Sequence, residues 1–294
     1  MNRLLAIFSA LILLVSHRSY SQYDPQYVET KTSTILGETY TVVKLLGKNN
    51  RIKIKYFAAK NYDGTVVDKR YSIWAANKNI VIVSSGTYMT SCDVKESLPV
   101  GLCIDNGTVV NENLAENLDG IIIVHANGGV TAYNLKASNL SINTSNGLKK
   151  MLDIRSNAFQ RAEFIKWAKN QETTVFQTHL LVYDDQIKIS GINSSLATAK
   201  RRFLAVCKSN NEIIHYVINL SEETSLYRGT MKAYRYLKEL EEVESVTFMI
   251  NLDTGCQNIY KTFNRNGNEV TADKKFQGDI NISNAANLLV YYYE

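Results

Sequence analysis

Only two prolines, Pro25 and Pro99, occur in 294 residues, and no Ser/Gly-rich tract breaks the chain. Without such punctuation there is no evident linker, so one large domain is expected in the roughly 270 residues that follow a leader. Beyond the N-terminus no apolar run is long enough to cross a bilayer, and no membrane span is expected. Blocks of like charge are scarce as well. The formal net charge of +5 falls to +3 once Arg3 and Arg18 leave with the leader, and the basic clusters stop at Lys200-Arg201-Arg202 and Lys274-Lys275. That balance excludes nucleic acid as an expected partner and leaves room for a single anionic group such as a phosphate. The chain has no G-x-S-x-G, no P-loop and no H-E-x-x-H, so serine-hydrolase, nucleotide and zincin chemistry are not indicated. Four cysteines, Cys92, Cys103, Cys207 and Cys256, form no C-x-x-C pattern. Neither a metal nor another cofactor is expected. In an oxidising compartment the four could form two disulfides in three connectivities, with a Cys92–Cys103 bond closing a short loop.

The N-terminus supplies the case for such a compartment. Arg3 precedes a twelve-residue apolar core, Leu4 to Val15, and Ser19-Tyr20-Ser21 carries small residues where a signal peptidase reads. Residues 1–21 are therefore expected to be a signal peptide cleaved before Gln22, giving an exported, periplasmic or secreted protein. A polar arm is expected over 22–39, and one domain over 40–294.

Strand signals dominate the domain. Tyr40–Leu46, Arg51–Phe57, Ile80–Val83, Gly120–Val124, Phe203–Cys207 and Ile213–Asn219 are rich in β-branched and aromatic residues. Asn106-Gly107 reads as the turn of a hairpin within Leu98–Val110. Helices are expected over Ser72–Lys78, Asn146–Ile154, Ser156–Gln171 and Met231–Glu241, with Phe159, Ala162, Ile165 and Ala168 forming an apolar stripe in the third. The pattern predicts an α+β fold: a single domain with a mixed, largely antiparallel β-sheet and flanking helices.

The stretch VTFMINLDTGCQN, Val246 to Asn258, organises the rest. A buried strand opens at Asp253 into a turn containing Gly255, a common way of presenting a carboxylate in a cleft, although Asp also simply starts turns. Ser84-Ser85-Gly86-Thr87-Tyr88 follows another buried strand, and its small residues could turn backbone N–H groups towards an anion. Gln177 and His179 alternate on one strand and could share a polar face. Of Arg201 and Arg202 one must point inward, where it needs a carboxylate or a bound anion.

Taken in order, these elements resemble the phosphodiester glycosidase family, over about Tyr40 to the C-terminus. The Ser84–Tyr88 stretch stands where the family has an Asn-Gly-Gly-Phe-Phe-like element. Pro99, Gly101 and Gly107 match its Pro-x-Gly and following glycine turn, and Gln177 and Arg201 match its Gln- and Arg-bearing strands. Asn251-Leu252-Asp253-Thr254-Gly255-Cys256-Gln257 matches its terminal Asn-Leu-Asp-Gly-Gly-Gly-Ser. The resemblance implies hydrolysis of a sugar-1-phosphodiester, with a carbohydrate or sugar-phosphate ligand. It implies Asp253 as carboxylate base or nucleophile, and Arg201 on the phosphate. His179 and Gln177 would orient oxygens, and Ser85, Gly86, Thr87, Asn251 and Gly255 would line the ligand. Thr254, Cys256 and Gln257 replace family residues and narrow the cradle, which keeps a second expectation alive: a non-catalytic glycan- or envelope-binding module of the same fold.

Overall fold

The computed structural model describes residues 28–46, 51–59, 66–93, 97–137, 140–151, 153–190, 197–210, 212–256, 258–264, 266–270, 282 and 285–294. The expected signal peptide, the turn at Gly47–Asn50 and Gln257 lie outside them.

Three sheets carry the fold. The largest has seven strands in the order β1 (Val28–Ile35), β2 (Glu38–Leu46), β15 (Glu212–Ser225), β14 (Thr198–Ser209), β16 (Ser245–Leu252), β12 (Leu180–Tyr183) and β13 (Gln186–Ile187). The second has five, β6 (Thr108–Asn111), β5 (Cys103–Asp105), β11 (Thr174–Thr178), β7 (Gly120–Val124) and β8 (Val130–Asn134). The third also has five, β18 (Glu269–Val270), β17 (Tyr260–Phe263), β4 (Asn79–Ser84), β19 (Asn287–Tyr293) and β3 (Ile52–Ala58). A small hairpin, β9 (Ser141–Thr144) with β10 (Gly147–Lys150), stands apart. Every pairing among the described strands is antiparallel, so the sheets are not mixed as expected.

The inner faces of the three sheets meet in one core. Leu204, Phe248 and Ile250 come from the first, Cys103, Ile122 and Phe176 from the second, and Ile54, Tyr56 and Tyr291 from the third. Each outer face is covered separately. Helix α1 (Val66–Ala75) lies on the third sheet, α2 (Ala158–Asn170) on the second, and α3 (Leu226–Glu239) on the seven-stranded one. A strand of this sheet is therefore buried on both sides: Phe248 and Ile250 face the central core while Val246 and Met249 face α3. This is why Val246–Leu252 reads as a mostly apolar run, with only Thr247 and Asn251 polar, rather than an alternating one.

Several expectations need correction. Val28–Ile35 pairs along its whole length with β2, so this part of the expected arm is a strand. β2 and β3, though consecutive, belong to different sheets, and β4 lies between β17 and β19. The helix expected over Asn146–Ile154 is the β9–β10 hairpin and the segment after it, turning where Gly147 takes φ 96°. Ser72 lies inside α1, which begins at Val66, and α3 begins at Leu226 rather than Met231, capped by Ser225, whose hydroxyl accepts from the Arg228 N–H. In α2 the buried residues are Phe164 and Ala168, and Phe159 is 89% exposed. Asn106-Gly107 does turn the β5–β6 hairpin, both residues at positive φ.

Candidate functional site

The C-terminal end of β16, the N-terminal end of β14 and the start of β12 lie side by side, because Phe203 pairs with Asn251 and Leu180 with Ile250. Antiparallel register thus brings Arg201, Asn251 and His179 to one end of the seven-stranded sheet. The segment after β4 joins them: the Asp253 N–H donates to Gly86 O at 2.9 Å, and the Ser85 hydroxyl donates to Asp253 O at 2.6 Å. A disulfide between Cys92 and Cys256 ties the same two segments once more. Of the pairings left open by the sequence, the short Cys92–Cys103 loop is not formed, and Cys103 and Cys207 are buried free thiols in separate sheets.

Beside this junction lies a cavity of about 770 Å³, lined among others by Tyr88, Asp119, Lys136, His179, Arg201 and Leu226. Its size suits a small organic ligand. Arg201 is 8% exposed. Its Nε donates to Thr224 O at 3.0 Å and its Nη2 to Ala197 O at 2.9 Å, and among the described residues no carboxylate pairs with it. His179 packs edge-on against the Tyr88 ring, centroids 5.5 Å apart. Burial pulls its imidazole below the ordinary value, Asp119 opposes this, and Arg201 adds to it. His179 is therefore neutral near pH 7 and able to accept a proton. Asp119 is itself held by Arg155 at 2.8 Å and Lys136 at 2.6 Å.

Tyr88 links the cavity to the end of β16. Its hydroxyl accepts from Asn251 Nδ2, which also donates to Leu252 O, and this leaves the phenol proton free to donate in turn. Burial pushes its pKa up, with Arg201 lowering and Asp253 raising it, so the hydroxyl stays protonated between these two charges. Asn251 Oδ1 is buried without a partner among the described residues.

Asp253, Gln177, Ser85, Gly86, Thr87 and Gly255 are not among the cavity lining. Asp253 is 7% exposed, is not among the cavity lining, and accepts from the Gly255 N–H at 2.8 Å, which is the turn-starting role. Burial raises its pKa, partly offset by the Gly255 and Thr254 N–H groups and Arg202. Gln177 is fully buried, its amide spent on Leu102, Ala115 and Leu118. Its neighbour His179 does face the cavity, because the chain crosses there from one sheet to another and the strand alternation is broken. The Ser85 hydroxyl is used at Asp253 and Ile259, and the Thr87 hydroxyl at Gln177 O. The N–H groups of Gly86 and Thr87 point at the Asn287 side chain rather than at a ligand. The residue facing the central core is Arg202. Neutral oxygens of Ser84, Asn258 and Ile259 and the Tyr260 ring, 4.5 Å away, surround it.

Sequence reasoning missed Tyr88 as a lining residue and Asp119 as the carboxylate nearest in effect to His179. The signal for Asp119 was available: it precedes the buried strand Gly120–Val124 much as Asp253 follows one. Among the described residues no cluster of three His, Cys, Asp or Glu could hold a metal ion, and no helix is long and apolar enough to cross a membrane.

No protein-family model and no curated protein matches the chain. Among solved structures it overlaps the zebrafish N-acetylglucosamine-1-phosphodiester alpha-N-acetylglucosaminidase catalytic domain auto-inhibited by its pro-peptide, at 11% identity and a TM-score of 0.47, over 91% of this chain and 82% of that one. A hypothetical protein from Synechocystis overlaps at 10% identity and 0.47, over 91% and 62% of the two chains. A protein of Burkholderia pseudomallei overlaps at 12% and 0.45, over 87% and 74%. Scores of this size assign no activity.

Proposed function

We propose that the cavity binds a sugar-1-phosphodiester and that the chain is an exported hydrolase of such esters. The observation that carries this reading is Arg201, a nearly buried guanidinium on the cavity wall that no described carboxylate neutralises. Keeping such a charge out of water is costly unless an anion comes to it. Tyr88 offers a second donor beside it, and neutral His179 offers a base. In hydrolysis, water attacks the anomeric carbon and the bond from that carbon to the phosphate oxygen breaks. Arg201 stabilises the departing phosphomonoester, and His179 takes the proton that water loses. Asp253 acts as a positioning residue in this scheme, shaping the turn at Gly255. The Cys92–Cys256 bond supports export, since such bonds persist in oxidising compartments.

One set of observations favours the alternative, a non-catalytic glycan-binding module. The Gln177 amide and the Gly86 and Thr87 N–H groups are all consumed internally. A paired assay separates the two. N-Acetylglucosamine 1-phosphate should raise the melting temperature of the mature chain, and Arg201→Gln should lose that shift. A hydrolase also releases nitrophenyl phosphate from its glycosyl diester and loses this with His179→Gln; a binding module shows the shift alone. No shift in the parent chain would end both readings.

A further inference from the structure

The cavity has two unlike walls, and the division follows the sheets. Leu180 and Leu181 of β12, Ile189 beyond β13, Ala197 before β14 and Leu226 at the start of α3 line the side built from the seven-stranded sheet. Leu181 and Leu226 belong to the apolar cluster beneath α3, and Ile189 packs against it. Lys188 and Ser190 are the polar members beside Ile189 on this side, and Lys188 turns its ammonium to Gln186 Oε1 at 2.8 Å. The facing side comes from the five-stranded sheet, with Glu116, Asn117 and Asp119 from the β6–β7 connection and Lys136 after β8. Val100 and Leu118 are its apolar members, and Leu118 is only 2% exposed. Arg201 enters from β14, on the apolar side; His179 lies between β11 and β12, and Tyr88 follows β4.

We infer that the ligand is amphipathic: a glycosyl phosphodiester whose second ester arm is an alkyl chain. This rests on the proposed phosphodiester site and deepens it. The sugar hydroxyls face Glu116, Asn117 and Asp119, which can exchange hydrogen bonds with them. The phosphate sits at Arg201, and the alkyl arm covers Leu180, Ile189, Ala197 and Leu226. Among the described residues, a second sugar on that wall would meet polar side chains besides Arg201 only at Lys188 and Ser190 and lose its water elsewhere, a penalty an alkyl arm does not carry.

The test is calorimetric titration of the mature chain with the methyl and octyl diesters of N-acetylglucosamine 1-phosphate, and with octyl glucoside below its micelle concentration as a phosphate-free control. The octyl diester should bind more than about tenfold tighter than the methyl diester, the gain from burying about two methylenes. The control should bind far more weakly than either. Ile189→Ser and, at an exposed position, Ala197→Glu should each shrink the octyl-to-methyl ratio. Equal affinity of the two diesters, or an unchanged ratio in both variants, overturns the alkyl wall and leaves the phosphate site standing. Binding of octyl glucoside as tight as that of the octyl diester also overturns it. If neither diester binds, the phosphodiester reading fails and this inference with it.

Discussion

Asn287 places its side-chain oxygen 2.8 Å from the backbone nitrogen of Gly86 and fills the notch that a bound anion was expected to occupy. The same oxygen accepts from the Thr87 N–H at 3.0 Å, and Asn287 Nδ2 returns a bond to Thr87 O at 3.1 Å. Asn287 begins β19, so the last strand of the chain clamps the segment that presents Tyr88. Gly86 is required here for packing: a Cβ would stand 2.5 Å from the Tyr56 ring. Asn287→Ala leaves two buried N–H groups unmet and is expected to cost about 2–4 kcal/mol. Urea denaturation with an unchanged m-value would register this as a lower midpoint. An unaltered midpoint would mean that the notch tolerates emptiness, and the ligand-cradle reading would return.

Gln177 yields a parallel expectation. Its side chain accepts from Leu102 N at 3.1 Å and Ala115 N at 2.9 Å, and donates to Ala115 O and Leu118 O. It pins the β6–β7 connection, which carries Glu116 and Asp119, to the strand beneath. Gln177→Met matches the side chain in length but supplies none of these bonds, and should destabilise the protein by about 3–5 kcal/mol. Protein that remains folded should still bind N-acetylglucosamine 1-phosphate, though more weakly as Asp119 shifts. Unchanged stability with lost binding would restore Gln177 to the ligand.

How much of this was legible in the sequence depends on whether a property is local. The β5–β6 turn at Asn106-Gly107 and the burial of β16 follow from turn chemistry and from apolar runs, and both stood out. Partners across sheets are not local. Nothing near Asn287 in the sequence announces that it will meet Gly86, 201 positions away. Nothing near Cys92 announces Cys256, 164 positions away. The site divided in the same way. His179 and Arg201, both expected at the site, do line the cavity, and the signal was that an imidazole or a guanidinium in a strand needs a reason. Asp253 lies outside the cavity lining and accepts from the Gly255 N–H, and a carboxylate at a strand end looks alike in sequence whether it faces a ligand or the next turn of its own chain. Phe159 misled for a related reason: a three-residue spacing marks a stripe without saying which side of the helix is covered.

His215 should make the folded state sensitive to mild acid. Its Nδ1 lies 2.8 Å from the Tyr291 hydroxyl, and burial drives its pKa from 6.5 down to about 4. As pH falls below the unfolded value, the unfolded chain takes up a proton that the folded chain refuses. Stability is thus complete above about pH 6.5 and is lost progressively towards pH 4, where the folded form also protonates. The contribution at stake is about 1–3 kcal/mol. His215→Asn can keep an acceptor for the tyrosine and cannot titrate, so its stability should fall less steeply over that range. Equal slopes for the two proteins would remove His215 as a cause.

Arg201 and Arg202 are adjacent in sequence and should fail in opposite ways when each is changed to glutamine. Strand alternation sends Arg202 into the central core, where Ser84, Asn258 and Ile259 oxygens and the Tyr260 ring enclose it. Arg202→Gln cannot reach these groups together, and several buried acceptors lose their donor. A loss of about 3–5 kcal/mol is expected, enough to threaten folding of an ordinary domain. Arg201 faces the cavity and holds the scaffold only through Thr224 O and Ala197 O. Arg201→Gln removes a nearly buried charge along with those two bonds, and its net effect on stability should stay within about 1 kcal/mol. It should abolish the thermal shift by sugar phosphate, while any Arg202→Gln protein that folds retains it. Thermal melts of both variants with and without the ligand decide the matter, and the reverse pattern would show that the anion belongs to Arg202.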